Sequence, residues 1–336
     1  MITRIAAQEK IPLWRRLLDE AITDPKQLLR ALDLDPELLP QIVGGHHQFK
    51  IKAPVSYLQR IIKGDPNDPL LLQILPQAEE TTLKPANYSN DPVGDLTASP
   101  VPGLIHKYEN RALLITSPAC AIHCRYCFRR EFPYRDAVTT GNHWQQTIEY
   151  LIAHTEINEI ILSGGDPLTL PDEQLADLAN QLASIPHLKT LRIHTRLPIV
   201  LPERIDARFL HWLQKVPLQT VVVIHANHPN ELNSQVGDAL AAMSNADITL
   251  YNQTVLLRNI NDNAKILAKL SHKLFEFGVQ PYYLHVLDKV NGAAHFDLNI
   301  QQSRKIYQQL STQLSGYLLP RLVQDLADRP AKTIIV

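Results

Sequence analysis

The chain has 336 residues, enough for one large domain with an appendage or for two domains. Lys and Arg number 33 against 34 Asp and Glu, so no overall basic character indicates nucleic-acid binding. No apolar run is long enough to cross a membrane, and the amino terminus lacks the apolar core of a signal peptide. The three cysteines are scarce and clustered, which favours a reducing compartment. We therefore expect a cytoplasmic protein without membrane partners.

Residues 1–76 are expected to form a helical region. Asp24-Pro25 and Asp35-Pro36 are each typical of a helix start, with Asp as the cap and Pro at the first helical position. We find no catalytic constellation here and expect a cap packed on the main body, with a recognition role left open. Residues 77–102 are polar and rich in proline, which predicts a long irregular connection on the surface.

Residues 103–317 alternate regularly between two patterns. Apolar, β-branched runs occur at 112–116, 159–162, 190–194, 220–225, 248–253 and 281–286. Amphipathic helical stretches lie at 143–154, 172–184, 203–215, 231–244, 262–277 and 299–314. The alternation predicts an α/β fold with a parallel sheet and right-handed crossovers. Six units are too few for an eight-stranded barrel, so we expect a partial (β/α)6 barrel followed by a short segment, 318–336.

All three cysteines lie within eight residues, Cys120-Ala-Ile-His-Cys124-Arg-Tyr-Cys127. Thiolates are natural ligands of iron–sulfur clusters, and three of them can hold a cubane while one iron stays open. A zinc site would need a fourth ligand, such as His123, in a spacing that structural zinc sites rarely show. A disulfide framework would need an even number of cysteines. We therefore predict a [4Fe-4S] cluster in the loop after the first barrel strand, where active sites of such folds lie.

Polar residues also follow other predicted strands. Ser163-Gly-Gly-Asp-Pro167 comes after the second strand, where glycines permit a close backbone approach to a ligand and can offer it their amides. Two glycines alone favour a tight turn, and it is their position after a strand that indicates a ligand contact. His225 ends the fourth strand and Gln253 the fifth, and together they indicate a cofactor contact. His194 and Arg196, after the third strand, are weaker candidates of the same kind.

The cysteine spacing, with Tyr126 before the last thiol, resembles the signature of radical S-adenosylmethionine enzymes. From about residue 100 to 335 the chain resembles the lysine 2,3-aminomutases of that superfamily. The segments that carry this resemblance are His106-Lys-Tyr-Glu-Asn-Arg111, the cysteine motif, Ser163–Pro167, 225–231, 252–262, 281–288, and Ser315-Gly-Tyr through Asp325 to Lys332. The sequences of residues 124–130 and 282–296 are close to those of the subgroup that makes β-lysine for modification of elongation factor P.

The resemblance implies three cofactors: a [4Fe-4S] cluster, S-adenosylmethionine and pyridoxal phosphate. Lys332, which alone would be interpreted as a solvated terminal lysine, aligns with the lysine that forms the aldimine with pyridoxal phosphate. The remaining implied roles are cluster ligation by Cys120, Cys124 and Cys127, S-adenosylmethionine contact by Gly164, Gly165, Asp166, His225 and Gln253, and pyridoxal phosphate contact by Arg111. Arg129 would bind the substrate carboxylate, while Asp288 and Asp325 would hold the far ammonium of lysine, whose charge offsets their mutual repulsion.

The implied activity is the isomerisation of L-α-lysine to β-lysine. The implied partners are lysine itself and the elongation factor P pathway, namely a ligase and the factor. Clostridial members have glycines before the cofactor lysine and extra cysteines that bind zinc between subunits. This chain has Ala327-Asp-Arg-Pro-Ala and no fourth cysteine, so we expect no zinc-tied tetramer and leave other oligomers open.

Two alternatives differ in the chemistry they assign to the chain. The first is a radical activase or modifier of a macromolecule, in which Lys332 is irrelevant. The second is a non-catalytic iron–sulfur sensor or nucleic-acid binder. Its only support is a run of arginines, Arg125, Arg129, Arg130 and Arg135, interleaved with aromatic residues as in base-stacking platforms.

Overall fold

The structure is a computed structural model that describes residues 11–137, 143–327 and 329–335. Its described residues form one nine-stranded sheet whose strands follow the order of the chain. The strands are β1 (Leu104–Tyr108), β2 (Arg111–Ser117), β3 (Glu159–Gly164), β4 (Thr190–Thr195), β5 (Gln219–His225), β6 (Thr249–Val255), β7 (Gln280–His285), β8 (Arg321–Gln324) and β9 (Thr333–Ile334). Strands β2 to β8 are parallel, and β1 and β9 pair antiparallel at the two edges.

Five of the described helices precede the sheet, and the others lie between consecutive parallel strands. The helices are α1 (Leu13–Asp19), α2 (Pro25–Ala31), α3 (Leu39–Gln48), α4 (Val55–Leu58), α5 (Glu79–Thr82), α6 (Tyr134–Ala137), α7 (His143–Ala153), α8 (Asp172–Ala183), α9 (Leu197–Val200), α10 (Ala207–Leu213), α11 (Ser234–Ser244), α12 (Ala264–Glu276) and α13 (Ile300–Ser311). The expected α/β partial barrel is confirmed. Within the described chain, no helix is long and apolar enough to span a bilayer.

The parallel sheet has one strand more than the six predicted. Strand β8 reads Arg-Leu-Val-Gln and is too short to stand out as an apolar run. Two predicted helices also begin later than expected because a capping side chain sets their start. Asp206 accepts a hydrogen bond from the Phe209 amide at the start of α10, and Asn233 accepts one from Val236 at the start of α11.

The amino-terminal helices pack on the barrel and share its hydrophobic core. Trp14, Leu28 and Tyr57 are buried in the same cluster as the barrel strands. The Asp24 side chain caps α2 as expected, and Asp35 caps a short 3-10 turn. Because this region has no separate core, its packing against the sheet contributes to the stability of both.

Candidate active site

The carboxyl ends of the parallel strands surround a cavity of ≈ 280 Å³. Every residue for which the sequence predicted a site role lines this one cavity: Arg111, Cys120, Cys124, Cys127, Arg129, Gly164, Gly165, Asp166, His225, Gln253, Asp288, Asp325 and Lys332. His194 and Arg196 line it as well. The parallel arrangement explains the convergence, since side chains far apart in sequence meet at one edge of such a sheet.

The three cysteines are free thiols at one end of this cavity. Burial raises the pKa of the Cys120 thiol well above its usual value and that of Cys127 to about 11, and neighbouring cysteines add to both shifts. Ionisation of Cys120 and Cys127 in this setting therefore needs a compensating cation, which an iron–sulfur core supplies. Among the described residues no three His, Cys, Asp or Glu side chains could hold a single metal ion, but a cubane takes its thiolates on separate irons.

Two buried arginines tie the cysteine loop to the amino-terminal region. Arg125 donates to Glu80 from Nε at 2.8 Å and from Nη2 at 2.6 Å, and Arg130 donates to the same carboxylate at 2.8 Å. Arg125 also bonds to the backbone oxygens of Gly45 and Phe49. Burial alone would raise the pKa of Glu80, but the hydrogen bonds and charges of the arginines lower it. The cysteine loop, residues 120–127, is thus anchored by an ionised glutamate.

Three of the four arginines in the run are buried and Arg135 is exposed, so the run does not form the continuous basic surface on which the nucleic-acid hypothesis rests. Arg125 is 0% exposed, Arg129 8% and Arg130 9%. Arg125 and Arg130 form ion pairs with Glu80, and Arg129 forms one with Asp95. Phosphate contacts require exposed cations, and these charges are already matched inside the protein.

The two glycines at the end of β3, Gly164 and Gly165, allow close packing against the loop that carries the cysteines. A Cβ on Gly165 would lie 2.3 Å from the carbonyl oxygen of Ala119, and one on Gly164 would lie 2.5 Å from that of Ser117. The amide of Gly165 donates to Ser117 O and that of Asp166 to Ala119 O, each at 2.7 Å. The Gly165 amide is therefore engaged within the protein, contrary to the expectation that it is offered to a ligand. The glycines let β3 approach the backbone that leads into Cys120.

The Asp166 carboxylate is also engaged within the protein. It accepts hydrogen bonds from the Thr195 hydroxyl at 2.7 Å, from the Arg196 amide at 2.7 Å and from the Leu168 amide at 3.0 Å. Burial raises the pKa of Asp166 to about 6, and these bonds oppose the shift. The side chain joins the turn after β3 to the end of β4.

His225 and Gln253 lie on neighbouring strands in register with each other. His225 Nε2 is 3.0 Å from the Tyr126 hydroxyl, and the two rings stack with centroids 5.7 Å apart. Burial, with the charge of Arg196, lowers the pKa of His225 to about 3, so its imidazole is neutral. The Gln253 side chain makes no hydrogen bond within the described residues and borders the cavity.

Arg129 is held by an aspartate that the sequence reasoning missed. Its Nε donates to Asp95 at 2.8 Å and its Nη1 to the Ser163 hydroxyl at 3.1 Å. Lys107 contacts the other Asp95 oxygen at 2.5 Å. Asp95 lies in the stretch predicted to be surface connection, yet it is 3% exposed. No local pattern marks Asp95 for burial, because its role depends on contacts with Arg129 and Lys107.

Lys332, Asp288 and Asp325 lie close enough to interact electrostatically, and together they form one end of the cavity. Lys332 Nζ lies 2.5 Å from Asp325 Oδ2, and the Tyr108 hydroxyl donates to Asp325 Oδ1 at 3.3 Å. Asp288 has a buried oxygen, Oδ1, that has no hydrogen-bond partner among the residues the structure describes. Burial raises the pKa of Asp288 to about 7, although the charge of Lys332 opposes the shift. This end of the cavity can accept a cation.

Arg111 borders the same end of the cavity without an ion pair among the described residues. Its guanidinium lies over the Tyr108 ring, 4.2 Å from the centroid, and it donates to Asn110 at 3.0 Å. An unmatched guanidinium in a cavity suits an anionic group such as a phosphate.

Residues 114–270 match the Radical SAM superfamily. The chain is 46% identical to an L-lysine 2,3-aminomutase of Escherichia coli (strain K12), over 95% of this chain and 93% of that protein. It is 44% identical to one of Haemophilus influenzae, over 96% and 95%, and 33% identical to one of Clostridium subterminale, over 96% and 77%. The chain belongs to the L-lysine 2,3-aminomutase family.

As a member of this family the protein is an isomerase of the aminomutase type. The superfamily brings a [4Fe-4S] cluster and S-adenosylmethionine, and the three free thiols that line the cavity fit the first of these groups. The chain covers 77% of the clostridial aminomutase, against 93% of the Escherichia coli one. The segment before Lys332 is the one in which this chain lacks the glycines of clostridial members. The structure describes Ala327 and residues 329–335 of this region, and residue 328 lies outside the described residues.

Proposed function

We propose that this protein is a radical S-adenosylmethionine, pyridoxal phosphate-dependent 2,3-aminomutase that converts L-α-lysine into β-lysine. The observation that carries the proposal is the convergence on one cavity of three thiols, a lysine amine, an arginine and two carboxylates. Each group has the chemistry of one part of the reaction: cluster, aldehyde cofactor, substrate carboxylate and substrate ammonium.

The substrate would be held at both ends. Asp95 fixes Arg129 through Nε, and Nη2 of Arg129 makes no hydrogen bond within the described residues. That nitrogen is free to donate to the substrate carboxylate. Asp288 and Asp325 would receive the side-chain ammonium of lysine, and the arriving cation lowers the pKa of Asp288 so that both acids ionise. An acidic amino acid would meet repulsion at this end.

The protein's own groups position and enclose the reactants. When bound, the cluster and S-adenosylmethionine supply the radical that abstracts hydrogen, and pyridoxal phosphate carries the nitrogen between adjacent carbons. Lys332 offers the primary amine that such a cofactor requires, and Asp325 holds that amine at 2.5 Å. Arg111 would bind the phosphate.

The cofactor lysine can be tested by chemical trapping. The protein is incubated with pyridoxal phosphate, reduced with borohydride, digested and analysed by mass spectrometry. The label is expected on the peptide that contains Lys332 and is expected to be absent from Lys332→Arg. Lys289, a lysine of the loop after β7, serves as the internal control for non-specific labelling. Equal labelling of both lysines, or no labelling of Lys332, would overturn the assignment and favour the radical activase.

We further propose that the β-lysine is delivered to elongation factor P through a ligase. Support comes from the sequences of residues 124–130 and 282–296, which are close to those of the aminomutase subgroup that serves elongation factor P. The test combines this protein with its cofactors, lysine, the ligase and elongation factor P, and reads the intact mass of the factor. A lysyl-sized mass increase is expected with the wild type and with free β-lysine, but not with Lys332→Ala. If β-lysine forms but the mass increase does not depend on it, the proposed delivery to elongation factor P is wrong, while the proposed aminomutase activity is unaffected.

A further inference from the structure

A guanidinium contacts one of the three cluster cysteines. Arg196, at the end of β4, donates from Nη1 to Cys124 Sγ at 2.6 Å. The arginine is 7% exposed, and its ring neighbours are Tyr57 and Tyr126 at 5.8 and 5.6 Å. No other side-chain donor reaches a cysteine sulfur in the described part of the chain. The contact singles out Cys124 among the three thiols.

Arg196 is fixed in this position by two further acceptors. Its Nη2 donates to Gln73 Oε1 at 2.6 Å and to Glu231 Oε2 at 2.8 Å. Glu231 is itself held, because its Oε1 accepts from the backbone amides of Asn227 and His228 at 2.8 and 3.0 Å. The guanidinium thus has its carboxylate partner on one side and the cysteine sulfur on the other.

This geometry has a consequence for an iron–sulfur cluster on Cys124. A hydrogen bond to a ligand sulfur withdraws electron density, and one-electron reduction adds negative charge to the cluster and its thiolates. The positive side of the Arg196–Glu231 pair faces the sulfur, so it stabilises the reduced cluster more than the oxidised one. We propose that Arg196 raises the reduction potential of the cluster by donating to Cys124, and so makes the electron transfer that starts catalysis easier.

The neighbouring arginines do not share this role. Arg125 and Arg130 direct their guanidinium groups to Glu80 and to backbone oxygens, and Arg129 directs its own to Asp95. Their charges act on the cluster from a distance, whereas Arg196 acts through a contact with one ligand. A variant that removes the contact while keeping local charge balance separates these two effects.

The test is a redox titration of the anaerobically reconstituted protein, followed by the electron paramagnetic resonance signal of the reduced cluster. Arg196→Gln combined with Glu231→Gln removes the donor together with its counter-charge, so no unpaired charge is left buried. At a fixed applied potential, the ratio of reduced to oxidised cluster is expected to fall about tenfold, which is about 59 mV for one electron. The titration omits S-adenosylmethionine, pyridoxal phosphate and lysine, so its outcome is independent of the proposed substrate and cofactor lysine.

The matched control is a second buried ion pair away from the cysteines. Arg204 is 0% exposed and lies 2.7 Å from Asp172, so Arg204→Gln with Asp172→Asn tests whether loss of any buried pair shifts the potential. The control is expected to titrate like the wild type. If the first double variant takes up no iron, Arg196→Lys replaces it, because an ammonium keeps the charge for Glu231 but has one nitrogen in place of the two that contact Glu231 and Cys124. A wild-type potential in an iron-loaded Arg196 variant would overturn the proposal.

Discussion

Asp288 and Asp325 lie at the same end of the cavity but differ in their partners. Asp325 is paired with Lys332 and with the Tyr108 hydroxyl, whereas a buried oxygen of Asp288 has no hydrogen-bond partner in the described part of the chain. Burial therefore leaves Asp288 with a pKa of about 7 in the folded protein. A site that keeps one acid paired and the other protonated has no excess negative charge until a cation arrives.

The raised pKa of Asp288 predicts a pH-dependent effect of Asp288→Asn. Between the ordinary aspartate pKa and about 7 the folded protein holds a proton that the unfolded chain has lost, so the wild type loses stability as the pH rises through this interval. The asparagine variant lacks this loss. Its advantage in unfolding free energy is expected to grow from about pH 4 to 7, to at most about 4 kcal/mol, and then to level off.

Denaturant titrations of the cofactor-free protein at several pH values measure this difference. Asp238→Asn, at an exposed position of α11, is the control and is expected to track the wild type. An advantage that is constant across the pH range would contradict the raised pKa of Asp288.

At the scale of elements, the turn after β3 and the loop that leads to Cys120 are in backbone contact. Gly165→Ala is expected to displace that loop, because its Cβ would lie 2.3 Å from a backbone oxygen that cannot rotate away. The expected result is a loss of about 1 to 3 kcal/mol in unfolding free energy and a lower iron content after reconstitution. Gly316→Ala, with nothing within 4 Å, is the control. Full iron loading of Gly165→Ala would refute this account of the turn.

Much of the element pattern could be predicted from the sequence, because the strands of a buried parallel sheet are apolar runs separated by amphipathic helices. The short strands β8 and β9 could not, since four and two residues carry no periodic signal. In the site, resemblance to a family supplied residues such as Lys332 that no pattern would single out. Asp95 and Tyr108 were missed because their roles depend on contacts with Arg129 and Asp325, which are distant in sequence.

At the scale of the whole molecule, the amino-terminal region supports the cysteine loop. Gln73 and Glu80 are both buried. Gln73 contacts Arg196, and Glu80 contacts Arg125 and Arg130. Gln73 O also accepts the Arg125 amide at 2.8 Å. The region predicted as a cap, through Gln73, and the stretch predicted as an irregular connection, through Glu80, therefore supply the outer contacts of the cysteine loop.

This arrangement predicts that Glu80→Gln is strongly destabilising. The substitution leaves two buried guanidinium groups without their carboxylate, which typically costs about 3 to 5 kcal/mol. Glu79→Gln, at the exposed neighbouring position, is expected to change the unfolding free energy by less than about 0.5 kcal/mol. Thermal or denaturant unfolding under anaerobic conditions measures both. Similar stabilities for the two variants would show that the buried ion pairs do not anchor the loop.

The most direct test of the central claim is the conversion of lysine itself. The reconstituted protein is given pyridoxal phosphate, S-adenosylmethionine, a reductant and L-lysine without oxygen, and the products are analysed by mass spectrometry. The account predicts β-lysine from the wild type and none from Lys332→Ala. If the wild type releases 5′-deoxyadenosine without β-lysine, or if Lys332→Ala produces β-lysine as the wild type does, the proposed lysine aminomutase with Lys332 as its cofactor residue is contradicted.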